Sequence, residues 1–350
     1  MKRTGWFWFL LLFAAIAAIV GVSFFYESSP SGTDIIKVDN FLLGTLVEIK
    51  AWDQTLDEEA VRASIQSAFD AMRRVESEMS VNMKGSIVHQ INDSAGISKV
   101  AATSSVIAVL DIAERVSELS GGAFDVRIGA VSHLWDFTSQ KAARPPDPKA
   151  IAGAVRLITL ASVEFSATTG TVYLPVKGMR LDLGGIAKGY AIDVASKALR
   201  KAGLGNFIVD AGGDMFVAGT RPNGRKWRIG VRHPRRLGDL MCTLLLSDRA
   251  VVTSGDYERF FVYEGRRYHH ILDPATGYPA TGCQSVTVIA KEATTADALA
   301  TAIFVMGPER GLKLADRLQD VECLIVGADG ARILSRGFGQ YLPAVMAVSP

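Results

Sequence analysis

Asp297 and Thr301 stand four residues apart in Ala296-Asp-Ala-Leu-Ala-Thr301, on an alanine-rich stretch that predicts a helix. Their carboxylate and hydroxyl therefore project from one face, a turn apart. Both are hard oxygen donors; with a backbone carbonyl and phosphate oxygens they can complete an octahedral Mg2+ site, which takes few protein ligands. On spacing alone the pair also fits an ordinary helix start, with Asp297 complementing the dipole and Thr301 bonding back to the helix. A second chemical segment is Leu181-Asp-Leu-Gly-Gly-Ile-Ala-Lys-Gly-Tyr-Ala-Ile-Asp193, where an apolar run meets a glycine pair and then a helical pattern. Such a junction aims free N–H groups and the positive end of a helix at an anion. Gly184 and Gly185 let that backbone come close to a ligand, because neither carries a Cβ. Lys188 adds a mobile positive charge, and Asp182, ahead of the turn, suits a metal ion, an amide donor or a ribose hydroxyl. The mixture points to a nucleotide with a metal, although neither a Walker A pattern nor GxGxxG occurs.

His269 and His270 are neighbours, so in a strand they face opposite ways. A histidine just before the Leu272-Asp-Pro loop can serve as a general base; equally, both can be surface residues. His89, His133 and His233 show no ligand spacing. Asp210, Asp214, Asp256 and Asp273, all near glycines, read as Asx-turn formers.

The elements that must position these groups follow from pattern. Residues 35–51 end as a strand with Val47 and Ile49 on one face. Thr55-x-x-Glu58 reads as a capping box for a long amphipathic helix with the stripe Val61, Ile65, Ala68, Met72 and Val75. Ser104 or Ser105 is placed to cap a second helix that Gly121-Gly122 ends. Trp135 reads as a core or rim aromatic. Residues 207–218 predict strand, two-glycine bend and strand, and 227–232, 244–246, 250–253 and 286–290 predict further strands. Thr294 or Thr295 is placed to cap the helix bearing Asp297, which Gly307-Pro308 stops; helix 309–318 and a terminal hairpin follow. Helices early, strands in the middle and a helix with a hairpin late predict an α+β fold with mixed or antiparallel sheets flanked by helices.

With 49% hydrophobic and 21% charged residues in 350, the chain can bury a large core and is not disordered. A net charge of +2 gives no global attraction for nucleic acid or an anionic membrane surface. Cys242, Cys283 and Cys323 form neither a disulfide framework nor a CxxC metal site and read as buried apolar residues. Lys2-Arg3 followed by the uncharged apolar residues 6–26 predicts a membrane-spanning anchor with the remainder exported; a cleaved signal peptide is the alternative. The expected organisation is an anchor over 1–27, a linker over 28–34 and one domain over 35–345.

Together, Leu43-Gly-Thr45, Gly122-Ala-Phe-Asp125, Asp182-Leu-Gly-Gly-Ile-Ala-Lys-Gly-Tyr190, Gly212-Gly-Asp214, Thr253-Ser-Gly-Asp-Tyr257, His270-Ile-Leu-Asp-Pro-Ala-Thr-Gly277 and Ala296-Asp-Ala-Leu-Ala-Thr301 resemble the ApbE family of Mg2+-dependent FAD:protein FMN transferases. The resemblance runs from about Leu43 past Gly307. It implies metal ligation by the Gly185 carbonyl, Asp297 and Thr301, flavin contacts from Leu43, Ala123, Phe124, Asp125, Asp182, Lys188 and Leu272, and His270 as the base. It also implies FAD as substrate, release of AMP, and as acceptor a Thr or Ser hydroxyl on an exported or membrane-facing redox subunit. That suits an enzyme held in the inner membrane with its domain on the periplasmic side. An FAD pyrophosphatase, or a non-enzymatic periplasmic flavin-binding module, is the rival reading. The chain departs from the family at Leu43, usually Met, at Asn82, usually aromatic, and at Val126-Arg127, usually Pro and a Thr-type residue.

Overall fold

The computed structural model describes residues 34–137 and 144–344. The expected anchor over residues 6–26 and nearly all of the linker lie outside them. Among the described residues no helix is long and apolar enough to cross a bilayer.

Strands β1 (Ile36–Leu42) and β2 (Thr45–Trp52) form a hairpin where the sequence predicted a single strand end. Its two-residue turn, Leu43 (φ 57°) and Gly44 (φ 70°), puts both central residues in the left-handed region, as the twist of a tight hairpin requires. The hairpin begins an eight-stranded sheet with β6 (Asn206–Ala211), β7 (Asp214–Ala218), β10 (Arg249–Gly255), β13 (Cys283–Ala290), β14 (Glu322–Gly327) and β15 (Arg332–Leu334), in the order β1-β2-β6-β7-β10-β13-β14-β15. Every pairing in it is antiparallel, which decides between the two sheet types the sequence allowed. The two-glycine bend at Gly212-Gly213 and the terminal hairpin fall where the pattern put them.

One face of the sheet is covered by helices. The principal helices are α1 (Glu58–Met79), α2 (Ile87–Asp93), α3 (Ser104–Ser120), α4 (Gly129–Ser132), α5 (Pro148–Leu160), α6 (Ala187–Lys201), α7 (Ala293–Met306) and α8 (Pro308–Ala315). The stripe of α1 buries Val61, Ile65, Ala68, Met72 and Val75 together with Phe69 and Met79. Each large side chain so buried contributes about 1.5–3 kcal/mol. α7 is buried nearly all round, which explains why it reads as alanine-rich without a sharp polar face. The opposite face packs on the ribbon β8 (Trp227–Arg232) and β9 (Leu240–Leu246), whose Trp227, Ile229, Leu244 and Leu246 meet Trp52, Val217 and Ile289. A small sheet, β3 (Val100–Ala101), β5 (Thr171–Tyr173) and β4 (Glu164–Ser166), and a separate ribbon, β11 (Phe260–Tyr263) and β12 (Arg266–His269), complete the strands.

Three predicted caps move by a few residues or across the fold. Asp57, not Thr55, caps α1 by accepting from Ala60 N, because Asp53 holds Thr55 in a preceding turn. Thr103, one residue ahead of the predicted serines, caps α3, whose C-terminus ends at left-handed Gly121 as expected. No side chain of its own segment caps α7. That role passes to a distant aspartate at the candidate site.

Candidate active site

The site is built where the N-termini of α6 and α7 meet. Gly189 makes the approach possible: a Cβ there would lie 2.2 Å from the Ala293 carbonyl oxygen and 2.8 Å from Asp297 Cβ. At this crossing each helix caps the other. Asp193, in the second turn of α6, accepts from Ala293 N (2.8 Å), Thr294 N (2.9 Å) and Thr294 Oγ1 (2.5 Å) at the start of α7. In return Asp297, in the second turn of α7, accepts from Gly189 N at the start of α6 (2.9 Å). The caps differ in how fully they are used. Asp193 spends both oxygens, whereas among the described residues Asp297 receives a single hydrogen bond.

Asp297 is buried, and its neighbours make it costly to ionise. Burial, with the negative charge of Asp214 beside it, pushes its pKa up to about 7 against the pull of Lys188. Lys188 Nζ forms a close ion pair with the buried carboxylate of Asp214. Desolvation lowers the Lys188 pKa, but Asp214 and Asp297 outweigh it, so the ammonium titrates above its ordinary value and remains charged. Asp214 also accepts from Thr253 N (3.0 Å), tying the Gly212-Gly-Asp block to the Thr253-Ser-Gly block. It is not the Asx-turn former its position beside two glycines suggested. Nothing in the local sequence marks it, since the pairing crosses from a strand start to a helix start.

One turn beyond Asp297, Thr301 Oγ1 lies 3.2 Å from where a Gly185 Cβ would stand and 3.4 Å from Ser254 Oγ. The same hypothetical Cβ would lie 3.2 Å from Phe124 Cε2, so the glycine turn is seated between Thr301 and Phe124. Gly185, Asp297, Thr301, Lys188 and Phe124 are thus brought together. Among the described residues no group of three or more His, Cys, Asp or Glu is arranged to hold a metal. The donor set here is of another kind, one carboxylate with a hydroxyl and a carbonyl-bearing turn. An under-bonded, buried carboxylate beside hard oxygens fits Mg2+.

Asp182 takes the amide-donor option among those its position allowed. Its Oδ1 accepts from Gly184 N (2.9 Å), shaping the glycine turn, and its Oδ2 accepts from Ser132 Oγ (2.7 Å). Asp125 is buried and clamped by Arg127 through Nε (2.9 and 3.1 Å) and Nη2 (2.6 Å), while Arg127 Nη1 donates to the Ala161 carbonyl. Arg127 therefore offsets the charge of Asp125 and fastens its loop. Ser120 Oγ receives Phe124 N and orients the neighbouring Ala123-Phe124 loop. Leu43 holds its left-handed conformation with its N–H donated to Glu76 Oε1 (2.8 Å). Leu272 is buried in an aromatic cluster with Trp135 and Tyr268. No hydrogen bond or ion pair among the described residues links Leu43 or Leu272 to the Asp297 set.

The two histidines separate clearly. His269 is buried edge-on to Phe304, its Nε2 donating to the Ala280 carbonyl (2.8 Å) and its Nδ1 accepting from Ile271 N (3.3 Å). Both ring nitrogens are spent on backbone. His270 is half-buried, and its Nδ1 faces the Arg259 carbonyl (3.3 Å), so Nδ1 carries the proton, and among the described residues Nε2 keeps a free lone pair. Burial, then Arg259 and more weakly Lys188, push its pKa down to about 3, leaving the ring neutral. The loop that follows is tied down: Asp273 forms the expected Asx turn to Ala275 N, and Gly277 packs against Ile151 with its carbonyl accepting from Trp135 Nε1. Asp210 likewise receives Gly213 N, whereas Asp256 departs from expectation and forms a two-pronged pair with Arg235 (2.6 Å each). The remaining histidines cap turns or bond nearby backbone, and all three cysteines are free thiols. A shallow cavity of about 610 Å³ between the end of α3 and α8, lined in part by Arg310 and Lys313, contains none of the site residues.

The family model described as ApbE matches residues 43–325. An FAD:protein FMN transferase of Treponema pallidum (strain Nichols) is 36% identical over 303 residues, covering 82% of this chain and 83% of the relative. Among solved structures, the ApbE protein of Thermotoga maritima matches with a TM-score of 0.81 at 36% identity, over 89% of this chain and all of that one. The flavin transferase ApbE from Vibrio cholerae matches with a TM-score of 0.77 at 28% identity, over 89% of this chain and all of that one.

Proposed function

The chain belongs to the ApbE family, and from that premise we propose that it transfers the FMN half of FAD to a Thr or Ser hydroxyl of an acceptor protein, releasing AMP. The observation that carries the reading is the under-bonded Asp297 beside Thr301 and the Gly185 turn, with charged Lys188 at the same helix N-terminus. Such a site calls for a cation and a polyanion together. Gly185, Asp297 and Thr301 would hold Mg2+, which when bound neutralises pyrophosphate oxygens and stabilises charge on the leaving group.

The chain's own residues account for the rest. Lys188 and the N-terminus of α6 offset charge that develops on the departing AMP phosphate. His270 Nε2 takes the proton of the acceptor hydroxyl as its oxygen attacks the FMN-side phosphorus; the bond to the AMP phosphate oxygen breaks, and that oxygen keeps the electron pair. An anionic substrate beside His270 raises the low proton affinity that burial and Arg259 impose, so the base strengthens only when the site is loaded. The Asp182 and Asp125–Arg127 clamps hold the surrounding loops in place, which lowers the entropy lost on binding.

We further propose that the domain works outside the cytoplasm, held by residues 6–26, and that its acceptors are exported or membrane-facing redox subunits. N-terminal sequencing of protein isolated from membranes tests the tether; a mature chain starting after residue 26 refutes it. Incubating the full chain with FAD, Mg2+ and candidate acceptors, followed by intact-mass measurement, tests the chemistry. A gain of one FMN on the acceptor is expected, while free FMN with no mass gain would assign hydrolysis instead.

A further inference from the structure

Among the described residues the β11–β12 ribbon pairs with no other strand, yet His270 leaves directly from its end. One face is committed to the core: Phe261 and Tyr268 stack on each other and against Trp135. The other face is open towards the ribbon's tip, with Phe260 39% and Val262 61% exposed and the Arg267 guanidinium 3.9 Å over the Phe260 ring, and is closed at its base by buried His269 opposite Phe260. His270 N donates to the Arg259 carbonyl (3.1 Å), which makes Arg259 and His270 a hydrogen-bonded pair. Alternation along the register then turns the N–H and C=O groups of Phe260 and Val262 outward. Among the described residues no backbone hydrogen bond reaches either of them. Beyond the end of β12 the chain is covered, because Ala280 N donates to Ile271 O and Leu272 bridges Pro279. Of the ribbon's two outer edges, that of β12 carries the buried His269, while that of β11 follows directly on Arg259, whose carbonyl holds the His270 ring.

We propose that the acceptor polypeptide docks by adding an extended strand to this edge, pairing with Phe260 and Val262 so that its reacting hydroxyl is delivered at the His270 end. The proposal rests on the transferase reading above. Charge selects the occupant: Arg259, Arg266 and Arg267 stand against Glu264 and, just before the ribbon, Glu258, which Arg232 already pairs, so a segment of net negative charge is attracted. A second copy offering the same edge would bring like charges together. A lipid surface would leave the outward backbone groups unpaired.

The test uses a displayed library of short random segments, each with one central threonine, incubated with the full chain, FAD and Mg2+ and sorted for bound flavin. The best segment is then titrated against wild type, Val262→Pro, Val262→Asp and Val262→Thr. Proline removes only an outward N–H and leaves the inner ladder intact. It is expected to raise KM for the segment about tenfold, with kcat and FAD affinity unchanged. Val262→Asp is expected to raise KM through repulsion of the acidic segment, and Val262→Thr to behave as wild type. If Val262→Pro fails to fold, Val262→Asp decides by the same readout. Unchanged KM in the folded variants, or a matching loss of FAD affinity, overturns the docking edge while transfer stands. A wild-type protein that labels no segment overturns the transferase reading and the docking edge with it.

Discussion

Placing asparagine at Asp297 and at Asp193 should have opposite effects on the stability of the metal-free protein, although both are buried caps at one helix crossing. Asp193 uses both oxygens for three donors, so Asn would set its own NH2 against Thr294 and strand a buried N–H. The cost is about 1–3 kcal/mol, or roughly 2–12 °C in Tm at about 2–4 °C per kcal/mol for a large domain. Asp297 accepts one bond, from Gly189 N, which an amide oxygen can also accept. Asn at 297 also removes a charge that the fold disfavours; burial raises the Asp193 pKa as well, but there the donors of Ala293 and Thr294 oppose it and would be lost with the carboxylate. Raising the pKa from 3.8 to about 7 means that ionised Asp297 costs the folded state on the order of 4 kcal/mol. Because the folded pKa lies above the unfolded one, this group's stabilising contribution is complete below pH 3.8 and lost as pH rises through about 7. Differential scanning fluorimetry in EDTA from about pH 4 to 8 should therefore show wild type weakening over that window. Asp297→Asn should lack that component and melt several degrees higher than wild type at about pH 8, while Asp193→Asn melts lower at every pH. Adding Mg2+ to about 100 times its Kd should restore about 2.7 kcal/mol to wild type and nothing to Asp297→Asn. If Asp297→Asn melts low like Asp193→Asn, or gains as much from Mg2+ as wild type, the carboxylate is a helix cap and not a ligand.

Gly189→Ala should disrupt the same crossing sterically: a Cβ 2.2 Å from a backbone carbonyl forces α6 and α7 apart, for about 1–3 kcal/mol of overpacking plus weakened caps. Urea melts and the Mg2+ dependence of FMN transfer measure the two losses, and wild-type values for both would contradict so close an approach of the two helices. His270→Asn should retain FAD binding yet lose about 10²–10⁴-fold in transfer rate. His269→Asn should instead lower Tm while leaving the rate per folded molecule near wild type, since its nitrogens serve backbone; equal rate losses would place the base elsewhere. Asp210→Asn should stabilise the protein at about pH 7. Burial lifts the Asp210 pKa to about 6, so stability from this group fades as pH rises from 3.8 through 6; a pH–Tm profile matching wild type would show that the carboxylate is not under strain.

Much of the fold follows from local pattern, because strands and helices declare themselves through side-chain periods of a few residues. The alternation in Trp227–Arg232, the double-glycine bend after Ala211, the α1 stripe and the i, i+4 placement of Asp297 and Thr301 are all visible this way. Two further helices carry local signals that the periodicity alone does not bring out: Ser86 caps the seven-residue α2, and Asp147-Pro148 gives α5 both an N-cap and a proline at its first position. The rest was never local. Asp193 reaches 100 residues along the chain to cap α7, Asp297 returns the bond to Gly189, and Asp214 finds Lys188 across a strand and a helix. No sequence period encodes such contacts, so these aspartates look like the many others that merely shape turns. Adjacency showed that the two histidines face apart, and the family motif chose His270. Only packing shows what that choice means physically: Ala280 and Ile271 occupy both nitrogens of His269, while His270 keeps a free Nε2 beside the open edge of a ribbon. Side-chain type and short spacing are properties of the chain, but burial, charge environment and which lone pair stays free are properties of the surroundings that the folded chain creates.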